Sequence, residues 1–137
     1  MPKIRFTVSL EEGLLSRFDE ALTHRAYTNR SEAIRDLIRQ NLIEEEWDQG
    51  EEVIGNITMI YNHHERELSK ELTHTQHDYN KVIISTQHIH IDHDNCLEVI
   101  IIRGKVEEIT ALYNALKTTA GVKQCELVRS TTGQYLN

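Results

Sequence analysis

The chain opens with strict alternation. In "KIRFTVSL", Ile4, Phe6, Val8 and Leu10 fall on one side and Lys3, Arg5, Thr7 and Ser9 on the other. Successive side chains of a strand point to opposite faces, so this period predicts a half-buried strand. The period then changes. Leu14, Phe18 and Leu22 recur at i, i+4 and i+8 with Leu15 beside them, and residues 11–25 are expected to form a helix with one apolar stripe. Ala26-Tyr27-Thr28 reads as a turn. Asn29 reads as the N-cap of a second helix, with Glu32 three residues on, as in a capping box. That helix carries Ala33, Ile34, Leu37, Ile38 and Leu42 on a broad apolar face.

A strand and two helices of about 45 residues bury too small a core to stand alone. The lone strand would also leave two open edges. A two-fold dimer in which the strands of two copies pair antiparallel removes both problems. The polar face of that ribbon would present Arg5, Thr7 and Ser9 twice.

A second set of periods begins near Glu52. "VIGNITMIY" reads as a strand, followed by a polar helix over about residues 64–78 with Leu68 and Leu72 inward. "KVIISTQHIHI" and "CLEVIIIRG" read as a hairpin. "VEEITALYNALKTTAG" is a helix with Val106, Ile109, Leu112 and Leu116 on one side, and Gly121 is placed for its stop. "VKQCELV" is the last strand, and "RSTTGQYLN" is expected to be loose. The order β-α-β-β-α-β is the ferredoxin-like arrangement. The fold class is therefore α+β: a strand-helix-helix unit over residues 1–48 and a ferredoxin-like unit over residues 49–137.

Composition narrows the setting. No run of about 18 apolar residues predicts a membrane span. The N-terminus lacks the apolar core and cleavage site of a signal peptide, so a cytoplasmic protein is expected. Two cysteines in 137 residues make no disulfide framework, which leaves both thiols free. The net charge of −7 at first argues against nucleic acid. Its distribution reverses the argument. "EEEWDQGEE", from Glu44 to Glu52, holds six acids and no base, whereas residues 1–43 hold seven bases against six acids. The acidity lies downstream of the ribbon, in a stretch expected to join the two units as a hinge. A two-stranded ribbon fits the major groove, where Arg5 can take guanine O6 and N7 bidentately and Thr7 and Ser9 can donate or accept.

Five of the eight histidines and one of the two cysteines lie between His74 and Cys96. His88 and His90 are i and i+2 on a strand, so they share a face and two imidazoles can converge on one ion. Cys96 can add a thiolate if the hairpin register allows it. A four-residue loop, Asp92–Asn95, pairs Ile91 with Cys96 and turns the sulfur away. A three-residue loop, His93–Asn95, pairs Asp92 with Cys96 and puts the sulfur on the histidine face, as an irregular strand end could also do. The competing reading is a solvated hairpin with its histidines outward. Cys125, inside the last strand, is expected to be a small buried apolar residue. His24 suits the C-terminal dipole of the first helix, and His93 reads as a loop residue.

"IRFTVSLEEGLLSRFDE" and "YTNRSEAIRDLIR" resemble ribbon-helix-helix DNA-binding proteins, and "TQHDYNKVIISTQHIHIDHDNCLEV" resembles the regulatory domain of the nickel-responsive transcriptional regulators. The resemblance implies a nickel-sensing repressor whose affinity for double-stranded operator DNA rises on binding Ni²⁺, one ion per subunit. It implies a homotetramer, a dimer of dimers, with no membrane partner and no small organic substrate. It also implies a fourth ligand from a neighbouring subunit, at the position matched by His77, with His74 the nearest competitor. A square-planar set of three histidines and one cysteine suits nickel rather than the tetrahedral preference of zinc. His63 and His64 match positions near the metal in some members; a helix-cap or surface role is the plainer reading. Glu32 and Asp36 match a weak second cation site, or else form an acidic face paired with Arg35 or Arg39. Where the family often has Lys-Arg, this chain has Glu65-Arg66, leaving Arg66 alone as the phosphate contact.

Three other classes compete. A nickel or copper storage protein or chaperone leaves the Arg5–Ser9 ribbon unexplained. An antitoxin-like DNA binder whose second unit takes a protein or amino acid leaves His88, His90 and Cys96 unexplained. An enzyme is not expected, because four protein ligands leave a metal no position for water and no general base is evident.

Overall fold

The structure is a computed structural model and describes residues 2–137. It forms two compact units, one extending to Leu42 and including Gly133–Asn137, the other Ile43–Thr132.

The first unit contains α1 (Glu12–His24) and the start of α2 (Arg30–Asp48). α1 ends at the expected turn. The Tyr27 N–H donates to the Leu22 carbonyl at 3.2 Å while Ala26 takes φ +59°. This is the left-handed cap that closes many helices, here without glycine. α2 begins at the expected cap, where the Glu32 N–H donates to Asn29 Oδ1 at 2.9 Å. The Glu32 carboxylate accepts from the Thr28 hydroxyl at 3.2 Å. Arg30 donates to both carboxylate oxygens of Asp19, at 2.8 and 2.7 Å, and this hydrogen bonding holds the Asp19 carboxyl below its ordinary range.

Two expectations change here. The segment over residues 3–10 is not a strand within this chain, and Ile4, Phe6, Val8 and Leu10 are exposed. A strand is defined by its ladder, and among the described residues no other segment supplies a partner edge. The acidic stretch is mostly not a linker either. α2 runs through it to Asp48, because glutamates are good helix formers. Trp47 anchors it, only 3% exposed and donating from Nε1 to the Ser130 carbonyl at 2.9 Å.

The second unit contains β1 (Glu52–Asn62), α3 (Arg66–Asp78), β2 (Ile83–His90), β3 (Asn95–Lys105), α4 (Val106–Lys117) and β4 (Val122–Arg129). The strands form one sheet in the order β2-β3-β1-β4, antiparallel throughout. This is the expected β-α-β-β-α-β topology. Burial alternates along β1 and β3. Val53, Ile57, Met59 and Tyr61 of β1 point inward, as do Cys96, Glu98, Ile100 and Ile102 of β3. Leu68 and Leu72 of α3 and Ile109, Leu112 and Leu116 of α4 complete this core. Gly121 does not stop α4. Thr118 caps that helix in ordinary helical space, and Gly121, at φ +98°, makes the turn into β4. The C-terminal tail lacks regular structure, yet Arg39 Nε donates to the Leu136 carbonyl at 3.3 Å. Among the described residues, no helix is long and apolar enough to cross a membrane.

Candidate metal centre

The β2–β3 hairpin settles the register. His88 pairs with Glu98, Ile89 with Leu97 and His90 with Cys96. Directly opposed residues share a face of a sheet, so His88, His90, Cys96 and Glu98 lie on one side. The loop is neither of the two expected. Ile91 N–H donates to the Asn95 carbonyl at 3.0 Å, leaving Asp92–Asp94 as the turn. This turn and the His93–Asn95 alternative differ by an even register shift, so both put the sulfur on the histidine face. Asp92 explains the choice. Its carboxylate accepts from the backbone N–H groups of Asp94 (2.9 Å) and Asn95 (2.8 Å) and from the Asn95 side chain. These bonds, led by the one to the Asn95 side chain, hold the Asp92 carboxyl below its ordinary range.

Upstream, β2 carries one extra residue. Ile83 opposes Ile102 and Ser85 opposes Ile101, so Ile84 is bulged and stands exposed.

Glu98 was not among the candidates read from sequence. It is 1% exposed, and it is the polar hub beneath the histidines. The Tyr61 hydroxyl donates to its Oε2 at 2.7 Å, and Gln76 Nε2 of α3 donates to its Oε1 at 2.8 Å. His88 Nε2 lies 3.2 Å from Oε1. Burial, then the bond to Glu98, pushes the Tyr61 hydroxyl well above its usual range. The available signal was a charged residue at an inward position of the otherwise apolar run "CLEVIIIRG".

Cys96 is buried and free of any disulfide, and its thiol makes a long contact, 3.7 Å, to the Leu97 carbonyl. Next to this group lies His63, whose ring meets the His90 ring edge-on at 4.8 Å between centroids. His63 Nδ1 is buried without a hydrogen-bond partner. Burial first, then the neighbouring His64, His90 and His93, lowers the His63 pKa.

His77 is in the last turn of α3 and exposed, lining an open recess with Ser69, Lys70, Thr73 and His74. His74 Nε2 lies 3.5 Å from Asp78. Within one chain, His77, His88, His90 and Cys96 do not close into a set at coordination distance. Among the described residues, the three-residue group whose donor atoms come within 4.8 Å of one another is His64, His93 and Asp94, all exposed. Cys125 is buried, as expected, and burial pushes its thiol up to about 11.

The other candidates stand apart from this centre. Arg5, Thr7 and Ser9 are exposed on the N-terminal segment. Arg66 is exposed at the first residue of α3. Asp36 accepts from the Tyr27 hydroxyl at 2.8 Å and from Arg39 at 3.3 Å. Glu32 is the partner of Thr28 described above.

The donor set fits a late transition metal. It joins two imidazoles on one strand face, a free thiol directly opposite, and a buried carboxylate that holds a ring nitrogen from behind. The second unit is thus a ferredoxin-like domain with an imidazole–thiol group on its edge hairpin.

Comparison with known proteins agrees. Residues 54–130 match the family model described as the NikR C terminal nickel binding domain. The chain is 53% identical over 131 residues to a Syntrophus aciditrophicus protein named "Putative nickel-responsive regulator", covering 96% of each chain. Proteins of the same name from Desulfotalea psychrophila (46% identity, 97% of this chain and 98% of that one) and Geotalea uraniireducens (48%, 98% and 97%) are similar along their whole length. The chain belongs to the nickel-responsive regulator family. In fold alone, it is also similar to the solved structure of an uncharacterized Thermotoga maritima protein, with a TM-score of 0.52 at 14% identity over 57% of this chain and 96% of that one.

Proposed function

We propose that this chain is a nickel-sensing, sequence-specific DNA-binding regulator, a repressor that holds its operator more tightly with Ni²⁺ bound. The observation that carries the reading is the pairing of His90 with Cys96, with His88 on the same face, in a member of this family. His88, His90 and Cys96 of one subunit would hold the ion, with His77 of another completing the set. The position of His77, exposed at the end of α3, suits a ligand that serves a neighbouring chain. A ligand that crosses chains in the second unit, added to two-fold pairing of the N-terminal units, favours a dimer of dimers with one ion per subunit, and a regulator of DNA would act in the cytoplasm. When bound, the ion supplies bonding energy that is realised only if α3 of one subunit meets the hairpin of another.

The N-terminal unit supports the DNA half of the reading. Besides Ile4, Phe6, Val8 and Leu10, the side chains of Leu14, Leu37, Ile38 and Leu42 are exposed in the single chain. So much apolar surface on so small a unit calls for a partner. Antiparallel pairing of residues 3–10 with a second copy gives the ladder its missing edge and completes a ribbon-helix-helix dimer. It leaves Arg5, Thr7 and Ser9 on the outer face for base edges. Arg66 is the phosphate contact proposed for the second unit. Glu32 and Asp36 remain candidates for a weak cation site, in competition with their partners Thr28, Tyr27 and Arg39.

The test is a titration of operator-like DNA with and without stoichiometric Ni²⁺. Affinity should rise by about 1–3 kcal/mol, the usual size of an allosteric coupling. Equal affinity in both arms would overturn the reading.

A further inference from the structure

The C-terminal tail is tied to α2 at two places. Just after β4, the Ser130 N–H donates to the Ile54 carbonyl at 3.0 Å, and the Ser130 carbonyl accepts from Trp47 Nε1 at 2.9 Å. Six residues on, the Leu136 carbonyl accepts from Arg39 Nε at 3.3 Å. We propose that Gly133–Leu136 is a releasable strap on α2, which restrains that helix where it passes from one unit into the other.

The chain passes between the units twice, inside α2 after Leu42 and again after Thr132. Trp47 and Ser130 belong to the second unit, Arg39 and Leu136 to the first. A single connection leaves a helix free to bend or fray at the junction. A second one, bonded to the same helix on both sides, removes part of that freedom, because each link keeps the other at high effective concentration. Chain ends are poorly ordered unless something ties them down, and here the tie is made to the helix that both units share.

The strap has local structure of its own. Gly133 takes φ +77°, and the Leu136 N–H donates to the Gly133 carbonyl at 3.3 Å, which closes a turn. At the end of that turn Tyr135 is exposed and Leu136 is half-buried. Arg39 carries the contact further into the first unit. Its Nη1 donates to Asp36 Oδ1 at 3.3 Å, and Asp36 accepts from the Tyr27 hydroxyl of the α1–α2 turn at 2.8 Å. The tail is thus linked, bond by bond, to the turn that starts α2. The side chains of Arg39 and Asp36 are 47% and 46% exposed, so these bonds are weak. Weak docking is what a releasable contact needs, since the elements that move in regulation come from the least stable parts of a fold.

The consequence for DNA rests on the function proposed above; the docking itself does not. Two variants test it. One lacks Gly133–Asn137 and keeps the bond between Ser130 and Trp47. The other is Gly133→Val in the full chain. A Cβ added at Gly133 meets nothing within 4 Å, so valine acts through the backbone, where a positive φ strains a β-branched residue. Amide hydrogen exchange across residues 36–48 should be faster in both variants than in wild type. Nickel affinity and the sulfur-to-nickel absorption should not change, because no proposed ligand lies in the tail. The gain in operator affinity on adding Ni²⁺ should shrink by about five-fold, the low end of a usual allosteric coupling. Unchanged exchange across residues 36–48 in both variants, loss of nickel binding with the tail, or tighter DNA binding after deletion would each overturn the strap. Faster exchange in the variants of a protein whose DNA affinity ignores nickel would uphold the strap and remove the DNA reading.

Discussion

His90 and Cys96 face each other across the β2–β3 ladder, at the last regular pair before the turn. That single pairing puts an imidazole and a thiol on one face without help from any other element. Removing the sulfur should therefore abolish the sulfur-to-nickel charge-transfer band and severely weaken nickel binding. Cys96→Ala tests this by absorption and calorimetry. His77→Ala should also weaken binding, and it should lower the tetramer fraction in sedimentation because its ligand role is proposed to cross chains. An anomalous-scattering peak away from Cys96 and His88 would contradict both.

Glu98 collects the Tyr61 hydroxyl, the Gln76 amide and the His88 ring at one buried carboxylate. Glu98→Ala would take the carboxylate acceptor from the buried Tyr61 hydroxyl and free the last turn of α3. Loss of a buried hydrogen-bond partner costs about 1–3 kcal/mol. Urea denaturation should show a loss of at least that size, and no change in midpoint would refute the role.

α3 is polar apart from Leu68 and Leu72, and short helices with few anchors open readily. Hydrogen exchange across residues 63–79 should slow when Ni²⁺ is added. Equal protection in both states would rule out ordering of α3 as the link to DNA, even if DNA affinity still responded.

Arg5→Ala should remove discrimination between operator and random DNA while nickel binding stays intact. A bidentate arginine–guanine contact is worth about 1–3 kcal/mol, and the dimer would have two. Competition binding with the two DNAs checks it.

Ala26 closes α1 in the left-handed region, at φ +59°. That conformation costs an L-residue about 1–2 kcal/mol and costs glycine nothing comparable. Greater freedom of glycine in the unfolded chain offsets part of the gain. Ala26→Gly should raise stability by about 0.5–1 kcal/mol. A lower thermal midpoint would mean that the Ala26 methyl packs against something.

Periodicity made the second unit legible because β1, β3, α3 and α4 each bury one face within the chain, while β2, exposed nearly throughout, was legible as the hairpin partner of β3. The N-terminal strand carries an equally clear period, but its ladder needs an edge the chain lacks, so the pattern appeared without the element. The acidic run from Glu44 looked like a joint because charge was weighed and helix propensity was not. Trp47, the one apolar residue in it, was the clue that it packs. In the hairpin, face parity could be reasoned from sequence. The turn itself could not, since it depends on where the Asp92 carboxylate finds its donors.

The bulge at Ile84 acts as a phase shift for everything after it. Had β2 continued in the register that pairs Ile83 with Ile102, His88 would oppose Leu97, and both histidines would turn to the other side of the sheet. Deleting Ile84 closes the bulge and leaves His88 opposite Glu98. Inserting one residue between Ser85 and His88 inverts the facing of both histidines unless a second bulge absorbs it. Relatives of different length through this strand are therefore best aligned by counting back from the turn rather than forward from α3.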